Sequence, residues 1–311
     1  MNETFLRIDN VSKAYDDYLA VNQVSLNIPK GKIYGLLGPN GAGKTSTIRM
    51  ITRITVPDSG TIYFNGEELA EKHSRDTGYM PEERGLYKKM KVLEQITYLL
   101  SLKGLPTSEA KAAGIDWLER LGLTDWSNNK VTDLSKGMQQ KVQFISTIAH
   151  KPRLLILDEP FSGLDPVNTK LIEKEIFRLK DEGTTIIFST HRMEQVEELC
   201  DYIALMSQGK LMLENEITQV RKDFQKQVYH ISFLGDKQHL MAVPGLQILE
   251  ITDKQAKVEL SGGEGDRNDL LRRLADSPLE ILSFALHLPR LNEIFIELVG
   301  GNKNLNRKEP V

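Results

Sequence analysis

Eight residues, Gly38-Pro39-Asn40-Gly41-Ala42-Gly43-Lys44-Thr45, restrict the fold more than anything else in the chain. A glycine, four residues and then Gly-Lys-Thr make a loop whose backbone amides can turn inward around phosphate oxygens, because glycine has no β-carbon to obstruct them. The helix that starts at Lys44 adds its positive N-terminal end. Lys44 is placed to reach the β- and γ-phosphates of a nucleotide, and Thr45 to hold magnesium. Such a loop must join a buried strand to a helix. Residues 33–37, Ile-Tyr-Gly-Leu-Leu, supply the strand, and residues 44–54 carry Ile48, Ile51 and Ile54 at helical spacing.

Downstream, Leu154-Leu155-Ile156-Leu157 reads as an apolar strand ending in Asp158 and Glu159, and Pro160 prevents simple continuation of the ladder. Alternation along a strand turns neighbouring side chains to opposite faces, so the two carboxylates have different tasks. Asp158 is expected in the magnesium shell and Glu159 beside the attacking water. Further strands read at residues 5–11, 24–28, 61–64, 185–188 and 202–206, with helices at 168–180 and 193–200. Residues 86–150 read as mostly helical. Strands alternating with helices predict a mostly parallel sheet covered on both faces, with 86–150 inserted into it.

Beyond about residue 220 the pattern changes to strands at 228–233, 246–251, 256–260 and 281–286, with helices at 267–275 and around Leu291, Ile294, Phe295 and Leu298. This predicts a small α+β domain over 221–300, after a larger domain over 1–220, and a frayed polar tail at 301–311. Gly262-Gly263-Glu264-Gly265 lacks a following Lys-Ser/Thr and reads as a flexible turn.

Forty basic side chains face 43 acidic ones, a formal charge of -3, so bulk electrostatics gives no reason to expect a nucleic-acid partner. A single cysteine, Cys200, excludes an internal disulfide and is expected to be a buried helix residue. No stretch approaches the roughly 18 consecutive apolar residues of a membrane helix, and MNETFLRIDN does not read as a signal peptide. Action at a membrane would therefore require a partner.

Three more motifs fall in order around the acidic strand: Leu134-Ser135-Lys136-Gly137-Met138, Ser162-Gly163-Leu164-Asp165-Pro166 and Ser189-Thr190-His191. With the phosphate loop, the set closely resembles the nucleotide-binding subunit of ATP-binding cassette (ABC) proteins over roughly residues 4–220. The resemblance implies an α/β phosphate-loop core of ABC ATPase type with an antiparallel β part and a helical insertion. It also implies ATP and Mg²⁺ as cofactors, with ATP bound by Gly38 to Lys44, Thr45 and Ser46 and adenine stacked on Tyr15, for which Tyr18 competes. Ser135, Lys136, Gly137 and Met138 would face the γ-phosphate of ATP held by a second subunit, Asp165 would couple the two sites, and His191 would act with Glu159 as the switch.

Lys136 and Met138 depart from the family's Leu-Ser-Gly-Gly-Gln, and Glu82, aligned with a glutamine that contacts magnesium and water, adds a negative charge. Glu82 is therefore expected to weaken nucleotide binding or to need a nearby cation such as Arg84, Lys88 or Lys89. The resemblance implies an ATPase of a transporter, an exporter by preference, peripheral on the cytoplasmic side of the membrane and bound to a separate transmembrane permease. Residues 82–95 are expected to face that permease. Leu288-Pro289-Arg290-Leu291-Asn292-Glu293-Ile294-Phe295 resembles the accessory domain that follows the cassette in bacterial export-type ATPases, sodium-efflux relatives among them. The alternative is a soluble ABC ATPase acting on ribosomes or DNA. Such proteins are expected to carry two cassettes or a long coiled coil, and neither is in this chain. A kinase built on the same loop would leave residues 134–138 without a task.

Overall fold

The chain begins with a long hairpin of β1 (Thr4–Tyr15) and β2 (Tyr18–Pro29), closed by a two-residue turn in which Asp16 has φ 48° and Tyr15 stands opposite Tyr18. The computed structural model describes residues 3–83, 85–260 and 266–305, and the chain divides into two units, Met1–Ile217 and Thr218–Val311. In the first unit follow β3 (Ile33–Leu37), α1 (Lys44–Ile51), β4 (Ser59–Phe64), β5 (Glu67–Glu68) and β6 (Thr77–Met80). Three helices, α2 (Val92–Leu102), α3 (Thr107–Arg120) and α4 (Lys136–Ile148), precede β7 (Leu154–Asp158). Then come α5 (Pro166–Asp181), β8 (Thr185–Ser189), α6 (Met193–Leu199), β9 (Tyr202–Ser207) and β10 (Lys210–Glu216), and α7 (Ile217–Asp223) starts at the boundary and belongs to the second unit from Thr218 on.

Strands β2-β1-β4-β5 form an antiparallel sheet, and β10-β9-β3-β8-β7-β6 form a second sheet that is parallel from β9 to β6 with β10 antiparallel at its edge. Every residue of β3, β7 and β8 is buried, which is why their apolar residues follow one another without alternation, polar residues falling only at the ends of β7 and β8. The two sheets share a core in which Val24, Leu26, Ile48, Leu36 and Ile156 are buried together. Because β3, β8, β7 and β6 are parallel neighbours, the segments that leave their C-terminal ends emerge side by side. That edge is where ligands collect in open α/β sheets.

Some local assignments change. The helix after the phosphate loop stops at Ile51, and Ile54 is 59% exposed rather than on the buried face. Strands β6 and β10 do not stand out in the sequence. Gly78 in β6 lies so close to α4 that a β-carbon there would meet the Thr147 carbonyl oxygen at 2.5 Å, a strand set by packing rather than by apolar pattern. Cys200 is buried but follows α6 instead of lying in it, and burial pushes its thiol pKa up.

In the second unit, β11 (Val228–Leu234), α8 (Lys237–Met241), β12 (Leu246–Ile251), β13 (Gln255–Leu260), α9 (Asp266–Ala275), β14 (Glu280–Leu286) and α10 (Leu291–Leu305) follow in order. The antiparallel sheet β12-β13-β11-β14 buries Ile231, Phe233 and Val258 against Leu270 and Leu274 of α9. On α10, Leu291 and Ile294 are buried. The helix runs through residues 301–305, which the aperiodic composition had placed in a tail. The rest of that tail, 306–311, and the Gly262–Gly265 turn lie outside the described residues.

Candidate functional site

A cleft of about 710 Å³ opens at the C-terminal edge of the parallel strands. Residues Asn40 to Ser46 form one wall, reaching it from β3 through the glycine loop. Gly41 and Gly43 have φ of 77° and 103°, left-handed values that a residue with a β-carbon adopts only under strain. Gly43 caps α1 without any side-chain hydrogen bond, so the loop offers backbone donors at a helix start. Gly38 and Pro39 stand behind the wall and hold Lys44, whose Nζ donates to their carbonyl oxygens at 2.6 and 3.1 Å. Burial lowers the Lys44 pKa, and the nearby carboxylates of Asp158, Glu159 and Glu82 oppose that shift.

Gly38 has no room for a side chain. A β-carbon would meet the Met206 carbonyl oxygen of β9 at 2.3 Å, and φ is 147°. Gly38→Ala is therefore expected to cost about 2–4 kcal/mol from overpacking and backbone strain together. The unfolding midpoint of the first unit in denaturant measures it, and a loss below about 1 kcal/mol would mean that β9 yields.

Asp158 and Ser189 are register partners at the ends of β7 and β8, and both line the cleft with Glu159, His191 and Glu82. Asp158 is 7% exposed. Its burial, with the Glu82 and Glu159 charges, raises its pKa above the ordinary carboxyl value. Glu159 follows in the left-handed region at φ 50°, which aims its side chain off the strand. Its Oε1 accepts from the His191 backbone amide at 2.8 Å and lies 2.6 Å from His191 Nδ1, while its Oε2 accepts from the Thr190 hydroxyl at 3.1 Å. The carboxylate and imidazole expected to work together are thus in contact.

Thr45, Asp158 and Glu82 supply the hard oxygen donors that suit Mg²⁺, and the neighbouring negative charges that help raise the Asp158 pKa would stabilise a cation placed among them. Among the described residues no three His, Cys, Asp or Glu side chains converge as a self-sufficient metal cage.

Other expected residues lie elsewhere. Tyr15 does not line the cleft. Its hydroxyl is buried without a partner, with the Lys13 ammonium 5.7 Å from its ring centroid. Tyr18 does line it and donates its hydroxyl to the Gly41 carbonyl at 2.9 Å. Lys88 and Lys89 do not line the cleft, and Arg84 lies outside the described residues.

Ser135, Lys136, Gly137 and Met138 also stand outside the cleft. Ser135 caps α4, its Oγ accepting from the Met138 amide at 3.3 Å, and Gly137 lies beside Gly163 and Leu164. Asp165 caps α5 by accepting from the Asn168 amide at 2.9 Å, which holds its pKa below the usual carboxyl value. Composition gave no signal for Gln140 and Gln143 of α4, whose side chains are buried and bonded to the Pro160 and Pro81 carbonyls next to the cleft carboxylates.

The family model described as ABC transporter matches residues 21–162, and the model described as ATP-binding protein DrrA1-3-like, C-terminal domain, matches residues 216–299. The chain belongs to the ABC transporter family as an ATP-binding subunit, an ABC ATPase. It is 44% identical over 296 residues to the ABC transporter ATP-binding protein YhaQ of Bacillus subtilis, covering 95% of this chain and 99% of the relative. It is 32% identical over 306 residues to the linearmycin resistance ATP-binding protein LnrL of the same species, covering 95% and 98%. Among solved structures, cbiO1 from Clostridium perfringens, part of the ABC transporter complex cbiONQ, superposes with a TM-score of 0.62 at 26% identity over 71% of this chain and 92% of that one.

Proposed function

We propose that this chain drives export through a separate transmembrane permease, from the cytoplasmic face of the membrane, by closing on ATP as a pair of cassettes. The observation that carries the reading is the placement of Ser135 and Gly137. They form a helix start, a phosphate-binding geometry, yet stand outside the chain's own cleft. By the resemblance to ABC cassettes, their ligand is the γ-phosphate of ATP in a second subunit, beside Lys136 and Met138, with Asp165 in the neighbouring loop coupling the two sites. Within each cleft Lys44 binds the β- and γ-phosphates, and Thr45, Asp158 and Glu82 hold the magnesium site. Magnesium, when bound, neutralises phosphate charge and fixes the geometry of in-line attack. Glu159 orients and polarises the water, and His191 holds Glu159 and reads the γ-phosphate.

Supporting export, the relative whose name specifies linearmycin resistance aligns across nearly the whole chain, including the C-terminal unit. Supporting a separate permease, cbiO1 of Clostridium perfringens is described as part of the ABC transporter complex cbiONQ. Fractionation of cells producing the chain with its permease tests the reading. Recovery with membranes and ATP-dependent dimerisation are expected; sedimentation with ribosomes would overturn it.

The adenine is assigned to Tyr15, which shares the tip of the β1–β2 hairpin with Tyr18. Tyr15→Ala is expected to weaken ATP binding by about 1–3 kcal/mol, with Tyr15→Phe near wild type. A loss confined to Tyr18→Ala in the same titration would transfer the role to Tyr18.

A further inference from the structure

Helix α4 carries two buried glutamines, Gln140 and Gln143, three residues apart and therefore on one face. Each donates its side-chain amide to a carbonyl outside the helix: Gln140 Nε2 to Pro160 O at 2.9 Å, and Gln143 Nε2 to Pro81 O at 2.8 Å. Pro160 directly follows Glu159, and Pro81 directly precedes Glu82. Neither glutamine lines the cleft, but both carboxylates do.

The amide orientation is dictated by its partner, since a carbonyl oxygen can be met only by the NH₂ end. At Gln143 this leaves Oε1 buried with no partner. Methionine would fill similar space without an unpaired acceptor, so packing alone does not call for glutamine there. The bond to Pro81 does.

The geometry points to Gln140 and Gln143 as positioning residues through which α4 sets Glu159 and Glu82. Gln143 fixes the backbone entering Glu82, and Gln140 fixes the backbone leaving Glu159. The same helix begins at Ser135, so a shift of its N-terminus reaches both carboxylates through two bonds one turn apart. This rests on the reading above, in which Glu82 serves the magnesium site and Glu159 the water.

Steady-state ATP hydrolysis by the full chain, with magnesium varied at saturating ATP, separates the two roles. Gln143→Met is expected to raise the magnesium concentration for half-maximal rate roughly fivefold, with kcat at saturating magnesium little changed. Gln140→Met is expected to lower kcat roughly fivefold with the magnesium midpoint unmoved. ATP affinity measured without metal should stay at the wild-type value in both.

Variants that only lower the thermal midpoint, or that change both quantities alike, would overturn the assignment. If Gln143→Met does not fold, Gln143→Glu takes its place: an ionised carboxylate repels Pro81 O, whereas the protonated acid donates to it. Its magnesium midpoint relative to wild type should then fall as pH drops from about 8 to about 6, and a flat ratio would count against the bond. A wild-type chain without magnesium-dependent hydrolysis would overturn the proposed function and this inference with it. Wild-type hydrolysis with unmoved variants would overturn the inference alone.

Discussion

Glu159→Gln is expected to cut ATP turnover by about 10²–10⁴-fold, the usual contribution of a positioned general base, while ATP still binds. Glutamine keeps the length and one carbonyl oxygen but not the negative charge that polarises a water. The His191 amide can still donate to that oxygen, and the Thr190 hydroxyl, which also accepts, can take a bond from the glutamine NH₂, so the segment after β7 keeps its shape. Binding without turnover leaves ATP in place, and the variant should accumulate as an ATP-dependent dimer. Single-turnover kinetics with size-exclusion chromatography checks both halves. Hydrolysis within tenfold of wild type would remove Glu159 from the chemistry, and a monomer with full turnover would contradict the paired-cassette reading.

Lys44→Ala is expected to weaken ATP binding by about 2–5 kcal/mol, the cost of truncating one member of a desolvated charge pair. Three carboxylates, those of Asp158, Glu159 and Glu82, act on Lys44 in the same cleft, so its removal leaves negative charge facing a polyphosphate. Lys44 also ties the Gly38 and Pro39 carbonyls, so the loop itself loses a clamp. Lys44→Arg should not restore binding, because a planar fork cannot repeat the compact ammonium contacts within the glycine turn. Equilibrium titration with a fluorescent ATP analogue measures the change. Affinity within threefold of wild type would place the phosphates elsewhere.

These sites differ in how visible they are along the chain. The phosphate loop is contiguous, and its task is performed by backbone amides whose freedom depends on Gly41 and Gly43, so eight successive residues state it completely. Asp158 and Glu159 are nearly as plain, since a buried strand that ends in two carboxylates has few other purposes. The departures were readable too: Glu82, Lys136 and Met138 stand where the family carries other residues, and the structure places Glu82 on the cleft and the other two off it.

The tyrosines show where legibility ends. Tyr15 and Tyr18 have similar sequence surroundings, and their relation to the cleft follows from the side on which the hairpin meets the Gly41 turn. Gln140 and Gln143 show it again. Along the chain they are polar residues in a helix, and only the approach to α4 of the segments that follow β6 and β7 supplies the carbonyls that give them work.

The order and spacing of the motifs determined the family, the ATP chemistry and the separate α+β unit, because each depends on short-range backbone geometry or on hydrophobic period. Which residues share the cleft, and which glutamines hold its carboxylates, was decided by parallel pairing of strands far apart in the chain. That pairing depends on complementary packing, and packing leaves no periodic trace in a single sequence.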